Sequence, residues 1–317
     1  MTKRKIYFRA DASSAFGYGH FIRTLALVDM LKDNFDCTFF TSSPSAYQIA
    51  EMEKVCCYVG LNEESKFEDF INLLNGDEIV VLDNYFFTTE YQRAIKAKGC
   101  KLVCIDDMHD KHFVADVVIN HGFVDPQQYS KESYTKLAIG CDYALLRKPF
   151  LYQTKNKKKK GEWIICFGGS DAYDLTSKVA NILAIREDVK RIHAIVGDAY
   201  KHPAILKQID KVIVHSRLSA EEMAALYQIS EFVVCSASSV CYEALSCQCT
   251  IYAGYYVDNQ EEFYKKILEH NYIIPLGNLI TSDMKVLESG LEFCTRKFAI
   301  KNILSNYRHL FWQLTLR

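Results

Sequence analysis

The sequence predicts an α/β protein built from two doubly wound domains, each with a parallel sheet. Short apolar runs alternate with amphipathic helical stretches, which is typical of parallel strands covered by helices on both faces. The alternation pauses between residues 144 and 161 and then starts again. With 317 residues, of which 49% are hydrophobic, the chain can bury two cores of ordinary size.

The first predicted domain covers residues 1–150. Its strands are short apolar runs, predicted at residues 6–8, 37–41, 79–82, 102–105 and 117–119. The helices between them have apolar residues at helical spacing and are predicted at residues 21–32, 67–74 and 89–98. Strands flanked by helices in this way predict a parallel sheet.

A lysine-rich linker is predicted at residues 151–160. No aromatic residue alternates with the lysines between Lys155 and Lys160, so a solvated segment is favoured over a nucleic-acid site, and an anionic membrane surface is a weaker alternative. The net charge is −1, with 38 basic and 39 acidic residues, so no overall basic field attracts nucleic acid. We therefore expect no nucleic-acid partner.

The second predicted domain covers residues 161–282 and repeats the same alternation. Its strands are predicted at residues 163–167, 192–196, 211–215, 232–235 and 250–253, and its helices at residues 175–185, 220–227 and 240–245. Residues 283–317 are predicted to form a helical extension. Two doubly wound halves are expected to bind a ligand in the cleft between them, at the carboxyl ends of their strands.

The 12 cysteines lie mostly in apolar strand-like runs. They lack the paired spacing of a zinc site, and a chain of this size does not need disulfide bonds to fold. No signal-peptide pattern opens the sequence, and no apolar run reaches 18 residues. The sequence therefore predicts buried thiols in a cytoplasmic protein without stable membrane insertion.

The segment between the first predicted strand and helix, residues 9–20, contains Gly17, Gly19 and His20. A glycine loop before a helix presents free backbone N–H groups, and a helix N-terminus disfavours the imidazolium form of histidine. A neutral imidazole there is suited to act as a general base. A tight turn with His20 capping the helix explains the motif equally well.

A second polar loop follows the predicted strand at residues 79–82. It presents a carboxylate, an amide and a phenol, from Asp83, Asn84 and Tyr85. The carboxyl ends of parallel strands lie at one edge of the sheet, so this loop is expected beside the loop that contains His20.

Two loops of the second domain are suited to bind phosphate. In the first, Gly168 and Gly169 precede Ser170 and a helix, so backbone N–H groups can approach an anion. In the second, Ser238 and Ser239 begin a helix that also contains Glu243, which is placed to accept hydrogen bonds from a ribose. Helix capping alone is the alternative role for the two serines.

Other ligand classes fit these loops less well. Gly17 and Gly19 lack the third glycine of a dinucleotide fingerprint, and no Walker lysine follows Gly168. A metal site can be drawn from His109, His112 and a neighbouring carboxylate. Nothing in the sequence directs both imidazoles toward one point, so we expect no metal there.

Taken in order, the loop motifs resemble one family, the UDP-2,4-diacetamido-2,4,6-trideoxy-β-L-altropyranose hydrolases of pseudaminic acid synthesis. These are relatives of the peptidoglycan N-acetylglucosaminyltransferase. The matching segments, within residues 9–260, are RADASSAFGYGH, FIRTLAL, VLDNY, IDD, ADVVIN, YALLR, CFGGSD, CSASSVCYEAL and VDNQ. The resemblance implies the GT-B fold, in which two Rossmann-like domains face each other across a cleft.

The resemblance also implies a reaction and its residues. The reaction is inverting hydrolysis of a UDP-linked diacetamido sugar at the anomeric carbon, without metal or cofactor. The implied catalytic residues are His20, Tyr85 and Asn259, while Asp11 is expected to orient either His20 or a sugar hydroxyl. The implied substrate side comprises Gly17, Gly19 and Asp83, and the implied UDP side comprises Gly168, Gly169, Ser170, Ser238, Ser239 and Glu243.

Two alternatives remain open at this point. A glycosyltransferase on the same scaffold would move the sugar to an acceptor hydroxyl, although the sequence has no membrane-facing apolar loop to favour it. A binding module without catalytic activity is disfavoured by the joint presence of His20, Tyr85 and Asn259.

Overall fold

The computed structural model describes residues 3–12, 18–152, 157–168, 171–197, 199–288 and 302–316, without the side chain of Asn259. The chain divides into two units. Unit 1 is Met1–Lys148 together with Lys301–Arg317, and unit 2 is Pro149–Ile300. The division lies beside the boundary predicted at residue 150, but the segment predicted as a C-terminal extension is shared between the units.

Unit 1 contains one parallel seven-stranded sheet. The strands described before residue 149 are β1 (Lys5–Arg9), β2 (Asp36–Ser42), β3 (Cys57–Leu61), β4 (Ile79–Leu82), β5 (Lys101–Ile105), β6 (His112–Phe113), β7 (Val117–Asn120), β8 (Ser130–Lys131) and β9 (Lys136–Ile139). The helices are α1 (Gly19–Leu31), α2 (Ala46–Glu53), α3 (Lys66–Asn72) and α4 (Thr89–Ala97), with 3-10 turns at Pro126–Gln128, Cys141–Tyr143 and, across the boundary, Lys148–Leu151.

The strand order in this sheet is β3-β2-β1-β4-β5-β7-β9, and β6 pairs separately with β8. The central strands are buried on both faces, as in β4, where each residue is at most 2% exposed. The order reverses between β1 and β4, which pair in register from Ile6↔Ile79 to Arg9↔Leu82. The loops that follow these two strands therefore lie at a topological switch point, where doubly wound sheets bind ligands.

Unit 2 contains a parallel six-stranded sheet with the order β12-β11-β10-β13-β14-β15. Its strands are β10 (Lys159–Cys166), β11 (Arg191–Val196), β12 (Val212–Ser216), β13 (Ser230–Ser236), β14 (Thr250–Tyr255) and β15 (Ile274–Asn278). Its helices are α5 (Leu175–Ala184), α6 (Pro203–Leu206), α7 (Ala220–Ile229), α8 (Ser239–Ser246) and α9 (Asp258–Glu269), with a 3-10 turn at Lys285–Leu287.

The last helix, α10 (Ile303–Thr315), belongs to unit 1. Its Phe311 packs against Phe35 with ring centroids 6.2 Å apart, and the Tyr307 hydroxyl donates to the carbonyl of Tyr143. Met284 and Leu287, in contrast, are buried in the core of unit 2. The predicted start of a separate extension at residue 283 is therefore wrong for residues 283–288, because their apolar side chains complete that core.

The prediction of a lysine-rich linker at residues 151–160 is wrong at its C-terminal end. Lys159 and Lys160 are the first residues of β10. The Lys158 ammonium donates at 2.7 Å to the carbonyls of both Tyr227 and Ser230, at the carboxyl end of α7. An ammonium is favourable there because it pairs with carbonyls that have no partner within the helix. Lys158 is thus a structural residue of unit 2 rather than part of a solvated linker.

Most of the described cysteines are buried thiols, as predicted, while Cys57 is exposed. No described helix combines the length and the apolar character that a bilayer-spanning segment needs.

Candidate active site

Two loops at the carboxyl edge of the unit 1 sheet meet at the start of α1. They follow β4 and β5, and they place the side chains of Asp83, Tyr85 and Asp107 around His20 and Arg23 of α1. His20 and Arg23 are three residues apart, so the helix presents both on one face. The sequence order of these loops predicted the meeting of His20 and Tyr85, but not the part played by Arg23.

Asp83 is the centre of this cluster. Its side chain is fully buried and is surrounded by His20 Nδ1 (2.7 Å), Arg23 Nε (2.7 Å) and Nη2 (2.6 Å), and Thr24 Oγ1 (2.8 Å). Burial opposes ionisation, but the Arg23 charge and these hydrogen bonds outweigh it, so the pKa of Asp83 lies below its ordinary value. Asp83 is therefore a buried carboxylate with both oxygens occupied, which corrects its predicted place on the substrate side.

His20 is oriented by this carboxylate. An ionised Asp83 accepts a hydrogen bond, so the contact assigns a proton to Nδ1, and in the neutral imidazole Nε2 is then the nitrogen without a proton. Arg23 Nη2 lies 3.0 Å from the same Nδ1, and both nitrogens donate to Oδ1 of Asp83. His20 is the second residue of α1, after the N-cap Tyr18, so the alternative in which it caps the helix is wrong.

Tyr85 packs against the His20 ring. The ring centroids lie 4.5 Å apart with an interplanar angle of 83°, an edge-to-face contact. Its hydroxyl is 3.4 Å from Oδ2 of Asp107, and that oxygen also accepts from Arg23 Nη1 at 2.7 Å. Burial opposes ionisation of Asp107, but Arg23 outweighs it and lowers the pKa of the carboxyl. Arg23 thus joins the carboxylates behind His20 and Tyr85.

The Asp11 carboxylate is held by donors other than His20, one of its two predicted partners. It accepts two hydrogen bonds from the fully buried Arg9, one from the Ser42 backbone N–H at 2.7 Å, and it lies 3.4 Å from the Lys66 ammonium. Burial opposes its ionisation, but the bonds and charge of Arg9 outweigh it, so its pKa is lowered. The residue that orients His20 is therefore Asp83, because the Asp11 carboxylate is engaged by another set of donors.

Asn84 joins the loops after β1 and β4. Its side-chain oxygen accepts from the Asp11 backbone N–H at 2.7 Å, and its amide donates to the Asp11 carbonyl at 3.1 Å. Of the two predicted glycines, Gly19 begins α1 with open space around its Cα as far as the described residues beyond its own helix are concerned, and Gly17 lies outside the described residues.

In unit 2, the start of α5 is already occupied by a carboxylate. Asp171 accepts from the backbone N–H groups of Leu175 (2.9 Å) and Thr176 (2.8 Å). The prediction that this helix start holds an anion is therefore corrected, since these N–H groups are satisfied within the protein. Gly168 precedes the loop with a left-handed φ of 91°, and Gly169 and Ser170 lie outside the described residues.

The start of α8 differs. Ser238 is its N-cap residue but makes no side-chain capping bond, and its hydroxyl instead donates to the Ser236 carbonyl at 3.4 Å. The alternative in which Ser238 serves only as a cap is therefore wrong. Glu243 lies on α8 and is largely buried, with 8% of its surface exposed.

The last predicted catalytic residue, Asn259, is the second residue of α9, and its side chain lies outside the described part of the structure. The loop before α9 is tied to the loop after β10, because the Tyr256 hydroxyl donates to the Phe167 carbonyl at 3.1 Å. This hydrogen bond holds the start of α9, which contains Asn259, next to the loop that contains Gly168.

The two histidines considered for a metal site have other contacts. His112 contacts Ser130 at 2.8 Å and Glu132 at 3.3 Å, while the His109 ring packs against Tyr129 with centroids 5.8 Å apart. Within the described residues, no group of three or more histidine, cysteine, aspartate or glutamate side chains is arranged to hold a metal ion.

Comparison with known sequences agrees with the loop motifs. The chain is 29% identical over 272 residues to UDP-2,4-diacetamido-2,4,6-trideoxy-beta-L-altropyranose hydrolase of Campylobacter jejuni, a match that covers 81% of this chain and 93% of that protein. The resemblance predicted from the motifs is thereby confirmed as a sequence relationship. No protein-family model matches the chain.

Comparison with solved structures shows the fold. The chain is similar to Arabidopsis thaliana UGT89C1 complexed with UDP-L-rhamnose, with a TM-score of 0.68 and 10% identity over 99% of this chain and 100% of that one. It is also similar to Acinetobacter baumannii MurG, with a TM-score of 0.58 and 13% identity over 90% of this chain and 89% of that one. The chain has the GT-B fold with two Rossmann-like domains, as predicted.

Proposed function

We propose that this relative of the altropyranose hydrolase is itself a nucleotide-sugar hydrolase. Its substrate would be a UDP-2,4-diacetamido-2,4,6-trideoxyhexose, cleaved at the anomeric carbon with inversion, in the synthesis of a pseudaminic-type acid. The observation that carries the proposal is the His20–Asp83 pair. It orients an imidazole through Nδ1 at the sheet edge where doubly wound folds bind ligands, and Nε2 makes no hydrogen bond to the described residues.

In this mechanism, His20 Nε2 accepts a proton from a water molecule as the water oxygen attacks the anomeric carbon. The bond between that carbon and the UDP oxygen breaks, and UDP leaves with the bonding electrons. Asp83 stabilises the imidazolium that forms, because its carboxylate already accepts the Nδ1–H hydrogen bond. The imidazolium then returns its proton to solvent, which regenerates the base.

Arg23 and Tyr85 are proposed to hold the base in place. Arg23 keeps Asp83 and Asp107 ionised. Asp83 can then accept a hydrogen bond from His20, and Asp107 can accept one from the Tyr85 hydroxyl. Tyr85 confines the His20 ring by its edge-to-face contact and is 44% exposed, so part of its surface is accessible to a ligand. The imidazole is thus fixed by a hydrogen bond on one side and by ring packing on the other.

We propose that unit 2 binds UDP. Backbone N–H groups at the start of α8 would stabilise the diphosphate, supported by the absence of a capping bond from Ser238. Gly168, Gly169 and Ser170 would contribute the neighbouring loop, and Glu243 would contact the ribose. The role of Asn259 as a catalytic residue rests on the sequence relationship.

Glycosyl transfer is the second candidate. An oriented imidazole can deprotonate an acceptor hydroxyl as readily as water, and the fold is shared with UGT89C1, which was solved with UDP-L-rhamnose. The two reactions differ in what receives the sugar, and this decides the experiment.

The test is to incubate the full chain with UDP-linked 2,4-diacetamido-2,4,6-trideoxyhexoses in H₂¹⁸O and to follow UDP and the free sugar by NMR and mass spectrometry. We expect release of both without an acceptor, ¹⁸O in the sugar only, and inverted anomeric configuration in the first product. His20→Ala should abolish turnover and leave UDP affinity nearly unchanged. Turnover that begins only when an acceptor is added, or ¹⁸O in UDP, would contradict the proposal.

A further inference from the structure

A pocket of about 420 Å³ opens at the edge of the unit 1 sheet opposite to His20. Its lining includes Lys101, Val117 and Lys136, which are the first residues of β5, β7 and β9, and α10 forms the facing wall. Strands of four or five residues separate the two edges of the sheet by roughly 15 Å. The pocket is therefore distinct from the candidate active site, and its volume is typical of a small-molecule site.

The polar side of the pocket is positively charged. Lys96, Lys101 and Lys136 line it together with one carboxylate, Asp116. Asp116 lies 2.6 Å from the Lys96 ammonium and 3.9 Å from that of Lys101, and it also accepts from the Leu102 N–H at 2.7 Å. Lys136 donates to the neutral side chain of Gln313 at 2.9 Å. The lining thus contains three ammonium groups and one carboxylate, an excess of two positive charges.

The other side of the pocket is apolar. Leu310 and Leu314 of α10 lie beside Val117, and all three are largely buried. The Tyr134 ring, with the residue 52% exposed, lies 5.7 Å from the Lys96 ammonium. A ligand in this pocket would meet ammonium groups on one side and aliphatic and aromatic carbon on the other.

We propose that this pocket is a second ligand site, which binds a small anion with an apolar body. The chemistry is that of a phosphate monoester or carboxylate joined to an aromatic or branched aliphatic group. The anionic end pairs with Lys101 and Lys136, and the apolar end lies mainly against the exposed Tyr134 ring, next to the small exposed parts of Leu310 and Leu314. Because the walls come from α10 and from the starts of three strands, such a ligand holds the last helix against the sheet. This inference is independent of the proposed reaction.

The probe is phenyl phosphate, measured by isothermal titration calorimetry on the full chain at low ionic strength and with saturating UDP, so that any nucleotide site is filled. Inorganic phosphate tests the charge alone, and benzoate tests the carboxylate source. We expect one saturable site for phenyl phosphate, with inorganic phosphate at least 10-fold weaker. We also expect Lys101→Gln/Lys136→Gln to weaken phenyl phosphate at least 10-fold.

The matched control is Lys98→Gln, an exposed lysine just after α4 that does not line the pocket, and it should keep the affinity of the unchanged chain. Phenyl phosphate should also raise the melting temperature of the unchanged chain and not that of the double variant. Absence of saturable binding, equal affinity for phenyl and inorganic phosphate, or full affinity in a folded double variant would each overturn the proposal.

Discussion

His20 Nδ1 lies 2.7 Å from Oδ1 of Asp83, a carboxylate with no exposed surface. The pair joins the first turn of α1 to the residue that follows β4, the strand that lies beside β1 in the sheet. The orientation of the imidazole thus depends on where α1 begins and where β4 ends. Because Asp83 and His20 lie on different elements, a substitution of Asp83 tests the orientation of the imidazole while the imidazole itself is kept.

Asp83→Asn should lower kcat on the order of 10³–10⁴-fold, because a neutral amide no longer holds the Nδ1–H tautomer or stabilises the imidazolium. UDP affinity should stay nearly unchanged. Steady-state kinetics and calorimetry measure both, and ¹⁵N NMR should show the His20 proton redistributed from Nδ1 toward Nε2. A folded variant with full activity and an unchanged tautomer would rule out this role for Asp83.

Tyr85→Phe should lower kcat up to about 10-fold. It keeps the ring contact with His20 but loses a hydroxyl group, and one hydrogen bond contributes about 0.5–1.5 kcal/mol. Tyr85→Ala should lower kcat further than Tyr85→Phe does, because the imidazole also loses its packing partner. Tyr152→Phe, at an exposed tyrosine of unit 2, is the control and should leave kcat unchanged. Equal losses in the two Tyr85 variants would assign the whole effect to the hydroxyl.

Arg23→Met should destabilise unit 1 by about 3–5 kcal/mol, because it leaves Asp83 buried without its cationic partner. Adding Asp83→Asn should recover part of that loss, since the unpaired charge is then removed. Urea denaturation of both single variants and of the double variant measures the coupling. Lys32→Met, which breaks an ion pair with Asp29 at the end of α1, is the control and should cost less than about 1 kcal/mol. Additive losses at Arg23 and Asp83 would refute the coupling.

Stability should fall in acid more steeply in the unchanged chain than in Asp83→Asn. The folded pKa of Asp83 is depressed, so its contribution is fully present above the unfolded value of about 3.9 and is lost as pH falls toward the folded pKa. Asp11 and Asp107 contribute with the same sign in both proteins. Urea denaturation between about pH 5 and pH 2 gives the two slopes, and parallel slopes would contradict the assignment.

Asp171→Ala should destabilise unit 2 by about 1 kcal/mol, because the first N–H groups of α5 lose their acceptor. UDP affinity should change by less than about 2-fold, because the diphosphate is assigned to α8. A 2-fold change corresponds to less free energy than the loss of one hydrogen bond to the ligand. Calorimetry with UDP and thermal unfolding separate the two effects. A large loss of UDP affinity with unchanged stability would contradict this assignment and place the nucleotide site at the loop before α5.

The central strands were predictable because they contain short apolar runs, as in β4, which is apolar throughout, and such runs are typical of strands buried on both faces. The edge strand β3 was not predicted. Its sequence, CYVGL, is a short apolar run that Gly60 interrupts, and three of its five residues are exposed, although it pairs with β2 in full register. The fate of Lys158 was also unpredictable, since its acceptors are about 70 residues away in sequence.

For the site, the order of the loops predicted that His20 and Tyr85 would meet. It did not predict which carboxylate orients the imidazole, because Asp11 and Asp83 both follow central strands and only their hydrogen-bond partners distinguish them. A signal for Arg23 was nevertheless present. An arginine one turn after His20, in a helix whose other inward positions are mostly apolar, requires a buried anion as its partner.

The packing of α10 onto unit 1 has a consequence for the order in which the chain folds. During synthesis, every residue of unit 2 leaves the ribosome before residue 301, so unit 2 can close while unit 1 still lacks the helix that covers Phe35. The unit that is translated first is therefore completed last. Until α10 emerges, the nascent chain must tolerate an uncovered apolar surface at Phe35, just after α1.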